Sequence, residues 1–164
     1  MRINEWTLFL DRDGVINVLK VGDYVKNWAE FEFRADFLQY FPNFCAQFKR
    51  VIIVTNQQGV GKGLMSSSDL DNIHALMLAE IVSIGGRVDK IYTATNLAGQ
   101  EPDWRKPNVY MGVQAAIDFR DIDFKKSLMI GDAETDILFG QNLGMQTILF
   151  KSWQQVVSGE RSEE

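Results

Sequence analysis

Residues 6–10, Trp-Thr-Leu-Phe-Leu, make a short apolar run that stops abruptly at Asp11-Arg12-Asp13-Gly14. A run of this kind suits a strand covered on both faces. Two carboxylates two residues apart project to the same side of an extended chain, and Gly14 lets the backbone leave by a turn closed to most residues. Each carboxylate disfavours ionisation of the other. A divalent cation removes that conflict, and hard cations select oxygen ligands. The pair therefore reads in two ways: a Mg²⁺ site with a carboxylate free to act as a nucleophile, or a solvated Asp-x-Asp-Gly turn of a common kind.

Further along, short apolar runs alternate with helical patterns. Residues 15–33 lack periodicity and read as an ordered flap anchored by Tyr24, Trp28, Phe31 and Phe33. Apolar positions 37, 38, 41, 44, 45 and 48 give an amphipathic helix over 34–49, kinked or split by Pro42. Val51–Val54 is a second buried strand, followed by Thr55, Asn56, Gln57 and Gln58. The glycines at 59, 61 and 63 flank Lys62 but do not make a P-loop: Gly63 stands where Ser or Thr is needed, and Asn56 where the first glycine is needed. This stretch reads as a mobile loop over a site or as a plain strand-to-helix connection. Ser66 or Ser68 caps the next helix, with Asp69 completing an acidic capping box. Leu70, Ile73, Leu76, Met77, Ile81 and Ile84 form its buried face. His74, the only histidine, is placed at its surface or boundary rather than as a catalytic base.

A third strand lies within residues 88–95. Pro107 suits the first turn of a helix running to about Phe119, with Val109, Tyr110, Val113, Ala116 and Ile117 as its apolar face. Lys106 then stands at a helix N-terminus, where an anion is favoured, or is half of a surface basic pair. Ser127–Ile130 is a fourth strand ending in Gly131-Asp132, Ala133–Asn142 a helix closed by Gly144, and Thr147–Phe150 a fifth strand. Asp132 and Asp136 either serve one site or stabilise the helix start. Residues 159–164 read as a polar tail, leaving 1–158 as a single domain.

This alternation predicts an α/β fold: a Rossmann-like, doubly wound, mainly parallel sheet of at least five strands with helices on both faces. In such sheets ligands sit beyond the carboxyl ends of the strands. Asp11 and Asp13, Thr55 and Asn56, and Asp132 all fall there, and Lys106 adds a cation, a set suited to phosphoryl transfer. The net charge of −5, from 17 basic and 22 acidic residues, gives no footprint for nucleic acid or an anionic membrane. Cys45 is the single cysteine, which excludes an internal disulfide and any multi-cysteine metal site. With no leader or membrane-spanning run, the expected location is the cytoplasm. The oligomeric state is left open by these features.

Phe9-Leu10-Asp11-Arg12-Asp13-Gly14-Val15-Ile16-Asn17, Val54-Thr55-Asn56-Gln57, Arg105-Lys106-Pro107, and Ile130-Gly131-Asp132 with Asp136 resemble the four motifs of haloacid dehalogenase superfamily phosphatases. The resemblance is to the branch containing heptose bisphosphate and histidinol phosphatases, and it spans residues 7–150 in order. It implies that Asp11 is the nucleophile and Asp13 the general acid and base. It implies Mg²⁺ held by Asp11, the Asp13 backbone carbonyl and Asp132. Thr55 and Asn56 would hold phosphate oxygens, Lys106 would neutralise charge, Arg105 would reach the rest of the substrate, and Asp136 would orient Lys106 or a metal-bound water.

The branch typically carries a Cys/His zinc loop before Arg-Lys-Pro. Here Thr93–Trp104 holds neither residue, so no zinc is expected, and heptose specificity is the part of the resemblance this departure touches. No long insert follows the first or second motif, which implies a minimal cap. The expected substrate is a small phosphorylated metabolite, a sugar bisphosphate such as heptose 1,7-bisphosphate first and histidinol phosphate second. A nucleic-acid 3'-phosphatase and a phospho-accepting receiver module are less favoured, since a receiver keeps its acceptor Asp on the third strand.

Overall fold

The computed structural model describes residues 3–159. Five strands, β1 (Thr7–Leu10), β2 (Arg50–Asn56), β3 (Lys90–Ala94), β4 (Ser127–Gly131) and β5 (Gln146–Leu149), form one all-parallel sheet in the order β3-β2-β1-β4-β5. Parallel strands need crossovers, and helices supply them: α1 (Ala35–Cys45), a one-turn α2 (Gln58–Gly61), α3 (Ser67–Ser83), α4 (Tyr110–Asp118), α5 (Glu134–Leu143) and α6 (Trp153–Ser158). Leu8 pairs in register with Val51 and Leu128, and Leu10 with Ile53 and Ile130. The period of two then sorts each strand between two cores. Leu8, Leu10, Val51, Ile53 and Ile130 pack under α1, α6 and the end of α3. Phe9, Ile52, Val54 and Met129 pack under α4 and α5. The apolar runs lack polar alternation because both faces of the central strands are covered.

The chain winds outward from β1 to β3, then returns to β4 on the other side of β1. The strand order reverses between β1 and β4, and the crevice at that point is where a ligand fits in such a sheet. Asp11 follows β1 and Asp132 follows β4, so the two carboxylates meet there. Gly14 is required by this closeness: its φ is +87°, and a Cβ on it would collide with the Asp132 carboxylate.

The flap at residues 15–33 is ordered by its aromatics, as the sequence suggests. Trp28 stacks on Phe31 at 5.0 Å between ring centroids, Phe31 meets Phe33 at 5.0 Å, and Phe33 stacks on Phe37 at 5.9 Å. The row continues to Trp153, whose ring lies 5.7 Å from Phe37. Trp153 is fully buried; its indole N–H donates to the Val15 carbonyl (2.8 Å) and its backbone N–H to Asp36 (2.9 Å). The helix α6 that carries it is absent from the sequence reading. At six residues it is too short to show a helical period.

Several expectations are corrected. Helix α1 is one helix rather than two short ones: it runs through Pro42 and ends at Cys45, short of the expected Lys49. The proline removes a donor to the Leu38 carbonyl, and Leu38 is on the exposed side of the helix. Helix α4 begins at Tyr110, not Pro107, and buries Met111, Gly112 and Ala115 while Tyr110, Val113 and Ile117 stay exposed. Gly112 lies against Leu143 and Phe139 of α5, and that close approach selects the buried stripe. Lys106 is therefore in the turn before α4. Ser66 is the N-cap of α3, with a complete capping box to Asp69. Residues 59–63 are the end of α2 and a turn. Gly159 closes α6 in the left-handed conformation; the rest of the expected tail, 160–164, lies outside the described residues.

Candidate active site

A cavity of about 390 Å³ opens at the carboxyl ends of β1, β2 and β4, and its wall includes Asp11, Asp13, Asn56, Gln57, Lys106, Asp132 and Asp136. Lys20, Asp23 and Tyr24 of the flap close one side.

Lys106 is buried at its centre. Its ammonium donates to Asp11 (3.0 Å), to the Val54 carbonyl (2.8 Å) and to Asp136 (2.6 Å). An ammonium has three protons, and all three have acceptors. Burial works against the cation, but Asp11 and Asp136 outweigh it and raise the lysine's pKa above the ordinary value. Asn56 sets the lysine's position. Its side-chain oxygen accepts the Lys106 N–H (2.9 Å) and its amide donates to the Lys106 carbonyl (3.3 Å).

Asp136 accepts from Lys106 with one oxygen and from the Ala133 N–H (3.1 Å) with the other, as the N-terminal carboxylate of α5. Burial raises the pKa of Asp11 well above the carboxylate range despite Lys106, and burial also raises that of Asp132. One oxygen each of Asp11, Asp132 and Asp136 falls within 4.8 Å of the others. Three clustered carboxylates with one lysine among them make an all-oxygen donor set short of positive charge, which fits Mg²⁺.

Asp13 faces a different set of partners. One of its oxygens accepts from Arg12 (2.8 Å) and Asn17 (2.9 Å), the other from Gln57 (2.8 Å). Burial alone would raise its pKa, but Arg12 and the hydrogen bonds from Asn17 and Gln57 hold it below the usual value. Asp11 and Asp13, two residues apart, are thus pushed in opposite directions. Burial favours the protonated form of Asp11, and the donors around Asp13 favour its carboxylate; a cation beside Asp11 would favour ionised Asp11.

Of the other expected site residues, Thr55 is wholly buried behind Gln57, whose amide donates to its hydroxyl oxygen (2.9 Å). Arg105 is half-buried, next to the cavity wall rather than in it. The loop before it is tied together by Asp103, which accepts from the Asn96 amide (2.9 Å) and from the backbone N–H groups of Arg105 (3.0 Å) and Gly99 (3.2 Å).

Arg12, Asn17, Gln57 and His74 were given no role by the sequence reading, and all four are buried at this site. His74 corrects its expected surface or boundary placement: it is buried, and its Nε2 lies 3.1 Å from a guanidinium nitrogen of Arg12. The signal was available, because position 74 is four beyond Leu70 and three before Met77, on the buried stripe of α3.

A family profile described as "HAD-hyrolase-like" matches residues 103–153. The D-glycero-alpha-D-manno-heptose-1,7-bisphosphate 7-phosphatase of Campylobacter jejuni is 37% identical over 142 residues, covering 87% of this chain and 80% of that protein. The protein of the same name from Mycobacterium tuberculosis is 35% identical over 140 residues, covering 85% and 74%. The crystal structure of D,D-heptose 1,7-bisphosphate phosphatase from B. bronchiseptica, complexed with magnesium and phosphate, superposes with a TM-score of 0.82. Its identity is 26%, and the match covers 96% of this chain and 89% of that one. With a parallel sheet, a carboxylate cluster at its switch point and relatives of this similarity along most of its length, the chain belongs to the haloacid dehalogenase-like hydrolases, in the branch of the heptose bisphosphate phosphatases.

Proposed function

We propose that residues 1–158 form one Mg²⁺-dependent phosphatase domain acting on a small phosphorylated sugar, D-glycero-D-manno-heptose 1,7-bisphosphate being the first candidate. The observation that carries this reading is the pair Asp11 and Asp13. One carboxylate is held by Lys106 beside Asp132, and the other is held apart by Arg12, Asn17 and Gln57.

In this reading an oxygen of Asp11 attacks phosphorus, the P–O bond to the sugar breaks, and Asp13 gives a proton to the departing oxygen. Water then attacks the aspartyl-phosphate, Asp13 takes its proton, and phosphate and free Asp11 result. Lys106 fixes the Asp11 oxygen and offsets its charge; with its three protons already engaged, it acts on the nucleophile more than on the ester. Asn56 serves by holding Lys106, and Thr55, expected to hold phosphate oxygens, instead supports the Gln57 amide that donates to Asp13. Asp11, Asp132 and the Asp13 backbone carbonyl would hold Mg²⁺, with Asp136 behind them. Bound there, the cation supplies neutralisation of the carboxylates and of the phosphoryl oxygens. Arg105 is assigned to the far phosphate, where a guanidinium binds in a bidentate way.

The proposal includes no structural zinc, because the Asp103 hydrogen bonds close the loop and Thr93–Trp104 contains no Cys or His. It includes no nucleic-acid partner and a cytoplasmic location; no helix among the described residues is long and apolar enough to cross a membrane. The test is release of inorganic phosphate from heptose 1,7-bisphosphate, histidinol phosphate and a 3'-phosphorylated oligonucleotide. The bisphosphate is expected to be the best substrate, and Asp11→Asn to abolish turnover with the fold intact. Substantial turnover by Asp11→Asn would remove Asp11 as nucleophile.

A further inference from the structure

Arg12 is fully buried between the two carboxylates of the first motif. One of its terminal nitrogens donates to Asp13 (2.8 Å), and the other lies 3.1 Å from Nε2 of His74, 62 residues away on α3. The Phe31 ring of the flap covers the guanidinium, 5.8 Å from its central carbon. Guanidinium nitrogens only donate. Nε2 of His74 must therefore be the acceptor, with the ring proton on Nδ1 and the imidazole neutral. The environment enforces that state: burial first, and the Arg12 charge second, press the pKa of His74 down to about 3.

The neutrality of this acceptor matters. A buried cation interacts strongly with whatever charge it meets. A carboxylate at position 74 would form its own ion pair with Arg12 and draw it from Asp13. An apolar residue would leave one edge of a buried guanidinium without a partner, and the side chain would shift to find one. An imidazole accepts the N–H without competing as a charge, and leaves Asp13 as the only carboxylate among the described residues that the guanidinium meets. We propose that His74 is a positioning residue for the phosphatase reaction: by holding Arg12 through a neutral nitrogen, it fixes the Asp13 carboxyl group where it can protonate the leaving oxygen.

This inference rests on the phosphatase reading above, and leaving-group dependence tests it separately. In the first half-reaction the Asp11–P bond forms, the P–O ester bond breaks, and the proton moves from Asp13 to the ester oxygen. A sugar alkoxide needs that proton; p-nitrophenolate leaves without it. The measurement is kcat/KM of wild type, His74→Leu, His74→Gln and His74→Glu on heptose 1,7-bisphosphate and on p-nitrophenyl phosphate. General acid catalysis contributes about 10²–10⁴-fold, so a misplaced acid is expected to cost His74→Leu about tenfold on the sugar ester and less than about twofold on the aryl ester.

His74→Gln, whose amide oxygen is a neutral acceptor, is expected to recover most of the loss. His74→Glu is expected to fall furthest on the sugar ester. Equal losses on both esters would mean a purely structural role and overturn the proposal, as would an unchanged His74→Leu. Should His74→Leu fail to fold, the two-ester ratio of the folded His74→Glu decides in the same way. Wild type inactive on both esters would instead sink the phosphatase reading, and this inference with it.

Discussion

At the scale of single residues, Arg12 and His74 are a buried pair whose charge state bears on stability. Asp11, Asp13 and Asp132 carry charge at strand ends, and Lys106 and Asp136 in the turn and helix start beside them, where a buried charge needs a reason, and that makes them visible in the sequence. Arg12 and His74 did not stand out, because an arginine between two aspartates reads as a solvated turn and a histidine on a helix reads as a boundary residue. Their burial has a consequence for stability. The folded-state pKa of His74 is pressed from 6.5 to about 3, by burial first and Arg12 next, with Asp13 opposing. Between those values the unfolded chain binds a proton that the folded chain refuses. Stability from this site is thus complete above pH 6.5 and declines as pH falls toward 3, by a few kcal/mol in all. Urea midpoints measured from pH 7 to pH 4.5 are expected to fall more steeply for wild type than for His74→Gln, which has no imidazole to protonate. Parallel curves would show that His74 is protonated in the folded protein.

At the scale of elements, the strands and long helices were legible because each has a period and a stop: apolar runs ending in polar groups for β1, β2 and β4, and the Ser66 capping box and Leu70–Met77 spacing for α3. Helix α4 misled, since its alternative stripe, Tyr110, Val113 and Ile117, is equally apolar, and only the fit of Gly112 against α5 decides which stripe is buried. The loops around the cavity were legible least, because their order comes from long-range side-chain bonds that no local pattern encodes. Gln58 shows this. Its amide nitrogen donates to the Tyr24 hydroxyl of the flap (3.3 Å), and its amide oxygen accepts from the Ala98 N–H of the 95–104 loop (2.7 Å). One side chain on the one-turn α2 thereby ties the flap that lines the cavity to the 95–104 loop. Gln58→Ala is expected to speed hydrogen exchange at the Ala98 amide about fivefold, the loss of one hydrogen bond of ~1 kcal/mol. KM for the bisphosphate should rise while kcat stays within about twofold, because the reacting groups are untouched. Unchanged exchange at Ala98 would mean the loop is held without Gln58.

At the scale of the whole molecule, the sheet carries its charge where it is most constrained. β1 and β4 are neighbours at the middle of the fold, and their ends bring Asp11 and Asp132 together with Asp136 close by. Lys106 already divides itself between Asp11 and Asp136, so the group as a whole is short of positive charge. A cation that binds only the folded arrangement stabilises it by mass action, by about 2.7 kcal/mol at a hundred times its Kd. For a domain of this size that corresponds to roughly 5–10 °C in Tm. Adding Mg²⁺ to protein stripped with EDTA is therefore expected to raise Tm by that amount. Asp132→Asn, which weakens the donor set without emptying the core, should start with a Tm equal to or above that of the stripped wild type and gain little on addition of Mg²⁺. Zn²⁺ should not be needed to restore the full Tm, since among the described residues the cluster consists of carboxylates alone. No shift in the wild type, or the same shift in Asp132→Asn, would place the Mg²⁺ somewhere other than at the ends of β1 and β4.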